Sequence, residues 1–261
     1  MEEGTLFNGW GNTVNATIIS SGDTEIGSIR DKFEALKDFE FIGLNDIPDN
    51  YGKRILVDFT FDIFNKDLRP EYLFRVFADL QKHLDALRFT GTPFNFIMNY
   101  PFGTNQKNYL YFQRIIDRYL ELLGEFYTVK QILIPNIISR FSFAKIQSPV
   151  IHIINAVRLG KSLKVNLTDT SRVTLIYGID LVTSLLTAMD HIGAHHVIIE
   201  GIDLCLKDID GITRRMAGEA PIQFDKERFI KYNYPGTQGV TVNNINYEFE
   251  NIMIDLVNNL F

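Results

Sequence analysis

Residues 18–28, Ile-Ile-Ser-Ser-Gly-Asp-Thr-Glu-Ile-Gly-Ser, decide how this chain folds. An apolar strand runs into a loop of small residues, and an amphipathic helix follows over residues 29–36. An acidic residue, Asp46, comes about twenty residues further on. This is the layout of the first strand, loop and helix of a dinucleotide-binding sheet, although only Gly27 of its three glycines stands in register.

The composition is that of an ordinary globular protein. The chain has 261 residues, of which 46% are hydrophobic, enough to bury a large core. Its net charge of −6 comes from interleaved acidic and basic residues, with no basic block that would indicate a nucleic-acid partner. A single cysteine excludes an internal disulfide, and no apolar run has the length of a membrane span. We therefore expect a cytoplasmic protein with neither nucleic acid nor membrane as partner.

Strands and helices alternate through the first half of the chain. The patterns predict strands at 17–20, 39–44, 54–59, 94–99 and 131–134, and helices at 28–37, 70–88 and 107–123. This repetition predicts right-handed βαβ units and an α/β fold, a Rossmann-like doubly wound parallel sheet.

The pattern changes near residue 145. Beyond it we predict helices at 148–159, 179–190, 206–217 and 243–259, and short strands at 163–166, 174–177 and 196–200. This half is interpreted as a smaller α/β lobe over the carboxyl ends of the sheet strands, where such sheets hold ligands. The predicted organisation is an N-terminal extension (1–15), a nucleotide-binding core (16–145) and a substrate-binding lobe (146–261), intertwined as one unit.

Three passages of the second half resemble a known family. They span Ser148 to Leu163, Thr170 to Val182 and His196 to Ile209. In order and spacing they are similar to passages of the extended short-chain dehydrogenase/reductases, which include nucleotide-sugar epimerases, dehydratases and reductases. The likeness runs from Ala16 to the C-terminus and implies NAD or NADP as cofactor and a nucleotide sugar as substrate. The chain is shorter than usual between Asp46 and Arg54, so we predict that one βα unit, and with it part of the adenine pocket, is absent.

The resemblance also assigns the phosphate-binding loop. Its three glycine positions fall on Ser21, Thr24 and Gly27, and Thr24 places a branched side chain where the pyrophosphate would lie. Gly22 could supply the turn through a longer loop, and a helix N-terminus at Gly27-Ser28 would offer backbone N–H groups to an anion. We predict weak or absent dinucleotide binding. The competing interpretation is a loop that merely connects strand and helix.

The proton-transfer pair is placed by the resemblance on the helix at 107–123. Active members of the family use Tyr-x-x-x-Lys, in which the lysine lowers the tyrosine pKa and holds the nicotinamide ribose. Tyr109 matches the tyrosine, but Gln113 stands in place of the lysine. A carboxamide carries no charge, and a tyrosine with a pKa near 10 is only about 0.1% phenolate at neutral pH.

Other ligand positions are implied by the same resemblance. Asn99 or Thr104 would polarise the substrate oxygen, although turn chemistry around Pro101 explains them equally well. Arg172 matches a residue that contacts the phosphates of the nucleotide sugar, and Asn136 is a second substrate-binding candidate.

Two acidic residues complete the cofactor candidates. Asp46 and Asp58 would contact the cofactor, with Asp58 also placed to cap the following loop. No metal site is predicted, since His195 and His196 are adjacent in a strand and point to opposite faces.

Three positions of the family's mechanism are altered together: the glycine loop, the lysine and the oxygen-polarising residue. We therefore predict a chain that keeps the fold of the family but not its catalytic activity. One hypothesis is a pseudoenzyme that binds a nucleotide sugar or a partner subunit. The alternative is an active NAD- or NADP-dependent nucleotide-sugar epimerase, dehydratase or reductase with a Tyr-x-x-x-Gln pair. Family members commonly dimerise through the tyrosine helix, so we expect a homo- or heterodimer through 107–123, whose apolar residues are Ile115, Ile116, Tyr119, Leu120 and Leu123.

Overall fold

The computed structural model describes residues 16–21, 24–30, 39–60, 69–99, 107–138, 159, 163–165, 172–191, 193–217, 222–224, 240–246 and 251–252. Within them the strands are β1 (Ala16–Ser20), β2 (Phe39–Gly43), β3 (Arg54–Asp58), β4 (Phe94–Asn99), β5 (Val129–Ile134), β6 (Asn136–Ile138), β7 (Leu163–Val165), β8 (Arg172–Tyr177), β9 (His196–Ile199), β10 (Ile202–Cys205), β11 (Ile222–Phe224) and β12 (Val240–Val242). The helices are α1 (Glu25–Ser28), α2 (Pro70–Leu87), α3 (Lys107–Gly124), α4 (Gly178–Asp190) and α5 (Leu206–Ala217).

A seven-stranded parallel sheet forms the centre of the fold. Its strand order is β12-β9-β5-β4-β3-β1-β2, and every neighbouring pair runs parallel. The predicted Rossmann-like α/β fold is thereby confirmed. Since β2 and β3 lie on opposite sides of β1, the strand order reverses there, and a crevice opens at the carboxyl ends of β1 and β3.

The sheet is shortened where the sequence indicates. Residues 44–53 join β2 to β3 and contain neither helix nor strand, and β2 is the edge of the described sheet. The chain thus passes directly from β2 to the other side of β1, without the βα unit that would extend the sheet beyond β2.

The second half of the chain contributes to more than one sheet. β9 and β12 join the large sheet, whereas β10, β8 and β6 form a three-stranded sheet and β11 pairs with β7. β6, β10, β11 and β12, of three or four residues each, were not predicted, whereas the equally short β7 and β9 were. The domain boundary at residue 145 stays a prediction.

One predicted helix begins too early. Residues 243–246 are not helical, because Asn246 donates from its backbone N (3.2 Å) and Nδ2 (3.0 Å) to the buried carboxylate of Asp180 on α4. Most of the predicted helix at 148–159 and the extension at 1–15 lie outside the described residues. No helix of the described stretches is long and apolar enough to cross a membrane.

Alternate residues of the sheet strands face two separate cores. On one face Ile18, Leu56 and Ile97 pack with Leu181 and Leu185 of α4. The other face packs against α2 and α3.

The apolar side of α3 is used inside the chain. Ile116, Leu120 and Leu123 are buried in the second core, and the Tyr119 ring stacks on Phe77 of α2 with centroids 4.0 Å apart. Ile115 also packs partly buried against this core. These residues therefore give no reason to expect a partner helix, and dimerisation through α3 remains a prediction.

Gly201 connects the large sheet to the three-stranded one. A Cβ there would lie 2.5 Å from the Leu175 carbonyl oxygen and 2.7 Å from Cγ of Pro135, and neither backbone nor ring can give way cheaply. Gly201→Ala is expected to lower the free energy of unfolding by about 2 kcal/mol, measured by urea unfolding. Gly211→Ala on α5 is the control, since a Cβ there meets nothing within 4 Å. The control should be neutral or stabilising by up to about 1 kcal/mol, and equal losses in both variants would contradict the steric explanation.

Candidate functional site

The N-terminus of α1 lies in the crevice between β1 and β3, with its N–H groups already bonded. Thr24 is the N-cap, and its Oγ1 accepts from Gly27 N (3.1 Å). Glu25 N donates to the Thr60 carbonyl oxygen (2.7 Å), and Ile26 N donates to Thr60 Oγ1 (3.1 Å). The first three backbone N–H groups of the helix are thus held inside the protein.

The expected helix start at Gly27-Ser28 is wrong. α1 begins at Glu25, because Thr24 caps it and an acidic residue is favourable beside the positive end of the helix dipole. Gly27 therefore lies in the first turn of α1 and does not present its N–H to the crevice. Gly22, the alternative turn residue, lies outside the described residues.

Asp58 ends β3 and organises the polar groups beneath the loop. The residue is 2% exposed. Its Oδ2 accepts from the hydroxyls of Ser20 (3.0 Å) and Thr24, and its Oδ1 accepts from Thr60 N (3.0 Å) and Thr60 Oγ1 (2.6 Å). Burial raises the pKa of the Asp58 carboxyl, and these hydrogen bonds act in the opposite direction. Asp58 was predicted to contact the cofactor, but both of its carboxyl oxygens accept hydrogen bonds from groups of the protein.

Glu25 extends this network to the next strands. Its side chain is 1% exposed, and Oε2 accepts from Nδ2 of Asn99 at the end of β4 (2.9 Å) and from Ile137 N of β6 (3.3 Å). Sequence reasoning missed Glu25 and Thr60. The signal for Glu25 was present in Thr24-Glu25, an N-cap residue followed by an acid.

The two asparagine candidates are buried near this network. Asn99 and Asn136 each have an Oδ1 that is buried and without a hydrogen-bond partner. Nδ2 of Asn136 donates to the Thr174 carbonyl oxygen at 3.3 Å. Each amide therefore donates one hydrogen bond within the protein and retains an acceptor.

The remaining candidates are placed only by their backbone or not at all. Tyr109 and Gln113 lie in α3, and Arg172 begins β8, with side chains outside the described set. Thr104 lies outside the described residues. The described residues contain no group of three His, Cys, Asp or Glu side chains that could hold a metal ion.

A pocket of about 410 Å³ opens at the carboxyl ends of β1 and β2. Its wall brings together Ser21 and Asp46, two of the predicted cofactor residues, with Tyr72 and Arg75 of α2. Oη of Tyr72 donates to Ser21 Oγ (3.0 Å). Ser20 also lines the pocket, so the Asp58 carboxyl lies one hydrogen bond behind its wall.

A buried histidine holds the loop that forms one side of this pocket. Nε2 of His83 contacts the Leu44 carbonyl oxygen (3.0 Å), and Nδ1 contacts Tyr51 Oη (2.8 Å). Burial lowers the pKa of His83, so the neutral ring donates from Nε2 and accepts at Nδ1.

No family model and no curated protein sequence matches the chain, whereas solved structures match along nearly all of it. ADP-L-glycero-D-manno-heptose-6-epimerase from Helicobacter pylori has a TM-score of 0.63 and 12% identity, covering 95% of this chain and 97% of its own. GDP-L-fucose synthetase from Naegleria fowleri bound to NADP has 0.61 and 12%, covering 94% and 92%. MoeE5 in complex with UDP-glucose and NAD has 0.62 and 9%, covering 94% and 99%.

These similarities extend over nearly the whole chain and identify its fold. The chain has the fold of the extended short-chain dehydrogenase/reductases. Neighbours of this fold hold NAD or NADP, as the synthetase and MoeE5 structures show for those proteins. In this chain the described residues at the start of α1 do not fit a dinucleotide diphosphate, because the N–H groups of Glu25, Ile26 and Gly27 are bonded to Thr60 and Thr24.

Proposed function

We propose that this chain is a pseudoenzyme on the extended short-chain dehydrogenase/reductase fold. In this proposal it has lost dinucleotide binding and hydride transfer and acts by binding a nucleotide sugar or a partner subunit. The observation that carries the proposal is the N-terminus of α1, where the N–H groups of Glu25, Ile26 and Gly27 are all bonded within the protein.

Phosphate oxygens only accept hydrogen bonds, so a diphosphate needs free donors. Two hydroxyls of this loop, those of Ser20 and Thr24, already donate to Asp58. A diphosphate seated here would have to displace these bonds, and it would meet the carboxyl groups of Asp58 and Glu25. Breaking these hydrogen bonds costs free energy, and a loop whose N–H groups are free would bind a diphosphate without that cost.

The residues of the predicted reaction site also lack the groups that move a proton. Gln113 brings no positive charge to lower the pKa of Tyr109. Asn99, in place of a hydroxyl residue, uses its amide donor on Glu25. The nucleotide sugar that we propose as ligand would lie on the opposite side of the crevice, toward Asn136 and Arg172.

Calorimetric titration with NADH and with NADPH tests the loss of cofactor binding. We expect no saturable heat up to about 1 mM of either cofactor, since the N–H groups of Glu25, Ile26 and Gly27 are bonded within the protein. Saturable binding of either one with a Kd below about 0.1 mM would overturn the proposal.

A single substitution tests which of two features prevents cofactor binding, the bonded N–H groups of α1 or the absence of the lysine. Gln113→Lys returns the positive charge beside Tyr109 but leaves the bonds of α1 unchanged. This variant should bind NADH no better than the wild type. If it gains cofactor binding, the lysine and not the loop was limiting, and the argument from α1 is wrong.

A further inference from the structure

The connection between β2 and β3, residues 44–53, is exposed over most of its length, and we name it the strap. Residues 45–47, 49, 50 and 53 are exposed, whereas Leu44 and the ring of Tyr51 pack against the core beside α2. Gly52 N donates to Thr17 Oγ1 on β1 (2.7 Å). Segments that bury so few side chains open locally at a lower free energy than the strands of a core.

His83 of α2 lies beneath the strap, and its side chain is 0% exposed. Both ring nitrogens are bonded to strap residues, Nε2 to the Leu44 carbonyl oxygen (3.0 Å) and Nδ1 to Tyr51 Oη (2.8 Å). Because a carbonyl oxygen only accepts, Nε2 carries the proton of the neutral ring, and Nδ1 accepts from the Tyr51 hydroxyl. When the strap lifts, both nitrogens lose these partners and meet water. The position of the strap and the protonation of His83 are therefore linked.

A proton on Nδ1 of His83 opposes the closed strap. The imidazolium donates from both nitrogens, so that Nδ1 no longer accepts from Tyr51. Burial is the main cause that lowers the pKa of His83, while Asp46 on the strap and the backbone carbonyls beside the ring raise this pKa and Lys82 on α2 lowers it. The phenol of Tyr51 stays neutral in acid, since burial raises its pKa.

We propose that the strap is released by acid, and that protonation of His83 opens residues 44–53 while the large sheet stays folded. The proposal goes beyond the proposed function and does not rest on it. It makes the connection that replaces the absent βα unit a pH-sensitive part of the fold.

The direction of the pH dependence follows from the two states of the ring. In the open strap His83 has its ordinary pKa of 6.5, and in the closed strap its pKa is lower. Above pH 6.5 the ring is neutral in both states, and the strap is held fully. As the pH falls below 6.5, the open state takes up the proton first. Opening is then favoured by up to about tenfold for each pH unit, until the closed ring is protonated too.

Hydrogen exchange of the Gly52 amide, followed by NMR on the full chain and corrected for the intrinsic exchange rate, tests the proposal. Its protection should fall about tenfold between about pH 7.5 and about pH 5.5. Phe59 N, which donates to the Ile97 carbonyl oxygen (2.9 Å), reports on the sheet and should exchange more slowly at both pH values. A fall of less than about twofold for Gly52 would overturn the proposal. Equal exchange of Gly52 and Phe59 would also overturn it, because the whole fold would then be opening.

His83→Gln assigns the effect to the ring. Glutamine keeps a donor and an acceptor but does not titrate in this range, so Gly52 protection should change by less than about twofold between the two pH values. His195→Gln is the matched control, since this histidine is exposed at the opposite end of β5 and β9 from the strap contacts, and it should keep the wild-type fall. A wild-type fall in His83→Gln would overturn the proposal.

Tyr51→Phe removes the hydroxyl that bonds Nδ1 of His83 and keeps the ring that packs against the core. Gly52 protection at about pH 7.5 should fall about fivefold, the equivalent of one lost hydrogen bond. Tyr111→Phe, at an exposed tyrosine of α3, is the control and should leave this protection unchanged. Wild-type protection in Tyr51→Phe would show that the bond to His83 does not hold the strap, and would overturn the proposal.

Discussion

Asp58→Ala is expected to lower the free energy of unfolding by about 3 kcal/mol, because it leaves several buried donors without their acceptor. The hydroxyls of Ser20, Thr24 and Thr60 and the backbone N of Thr60 all donate to this carboxyl. The hydroxyls of Ser20 and Thr24 lie 3.0 Å apart and can partly satisfy each other, which keeps the loss below the sum of four bonds. Urea unfolding followed by circular dichroism measures the change. A loss under about 1 kcal/mol would mean that the network does not hold the loop.

Asp58→Asn keeps the shape of the side chain and removes its charge, so that the contribution of the charge to stability can be measured. Because burial raises the folded-state pKa of Asp58 above its usual 3.8, folding takes up a proton once the unfolded carboxyl has ionised. The stability of the wild type relative to Asp58→Asn should therefore be greatest below pH 3.8 and fall as the pH rises through the raised pKa. Urea unfolding of both proteins across that range gives the difference directly. A difference that grows with pH would show that the hydrogen bonds outweigh burial.

Lys130→Met should lower the free energy of unfolding by about 3 kcal/mol. Lys130 begins the buried part of β5 and is 8% exposed. Its Nζ donates to the carbonyl oxygens of Ala188 (3.3 Å), Met189 (3.1 Å) and His191 (2.7 Å) at the C-terminal end of α4, where carbonyl groups lack the full set of helix hydrogen bonds. A positive charge at a helix C-terminus is also favoured by the helix dipole. Methionine fills much of the same volume but offers these carbonyls no donor.

Lys82→Met is the matched control for this substitution. Lys82 lies exposed on α2 and forms an ion pair with Asp79 at 2.9 Å. Exposed pairs of this kind contribute little, so the control should change stability by less than about 0.5 kcal/mol. Equal effects of the two substitutions would show that the lysine of β5 is not needed to end α4.

The outline of the fold was predictable because it depends on local patterns. Residues 55–57 of β3 and 96–98 of β4 are continuously apolar, which marks strands buried on both faces, and α2 begins at Pro70 as expected. The short connection between β2 and β3 correctly indicated the absent βα unit. By contrast β12 lies at the end of a polar stretch, and its place beside β9 follows from pairing that no local pattern records.

The sequence alone determined that the phosphate loop is altered, since the residues at two of the three glycine positions, Ser21 and Thr24, can be seen directly. Only the tertiary structure decided which groups bond the N–H groups at the start of α1. Thr60 and Glu25 are far apart in sequence but meet at the end of β3, and Asn99 reaches Glu25 from β4. Such contacts form because neighbouring parallel strands end at one edge of the sheet, whereas sequence patterns record only neighbours along the chain.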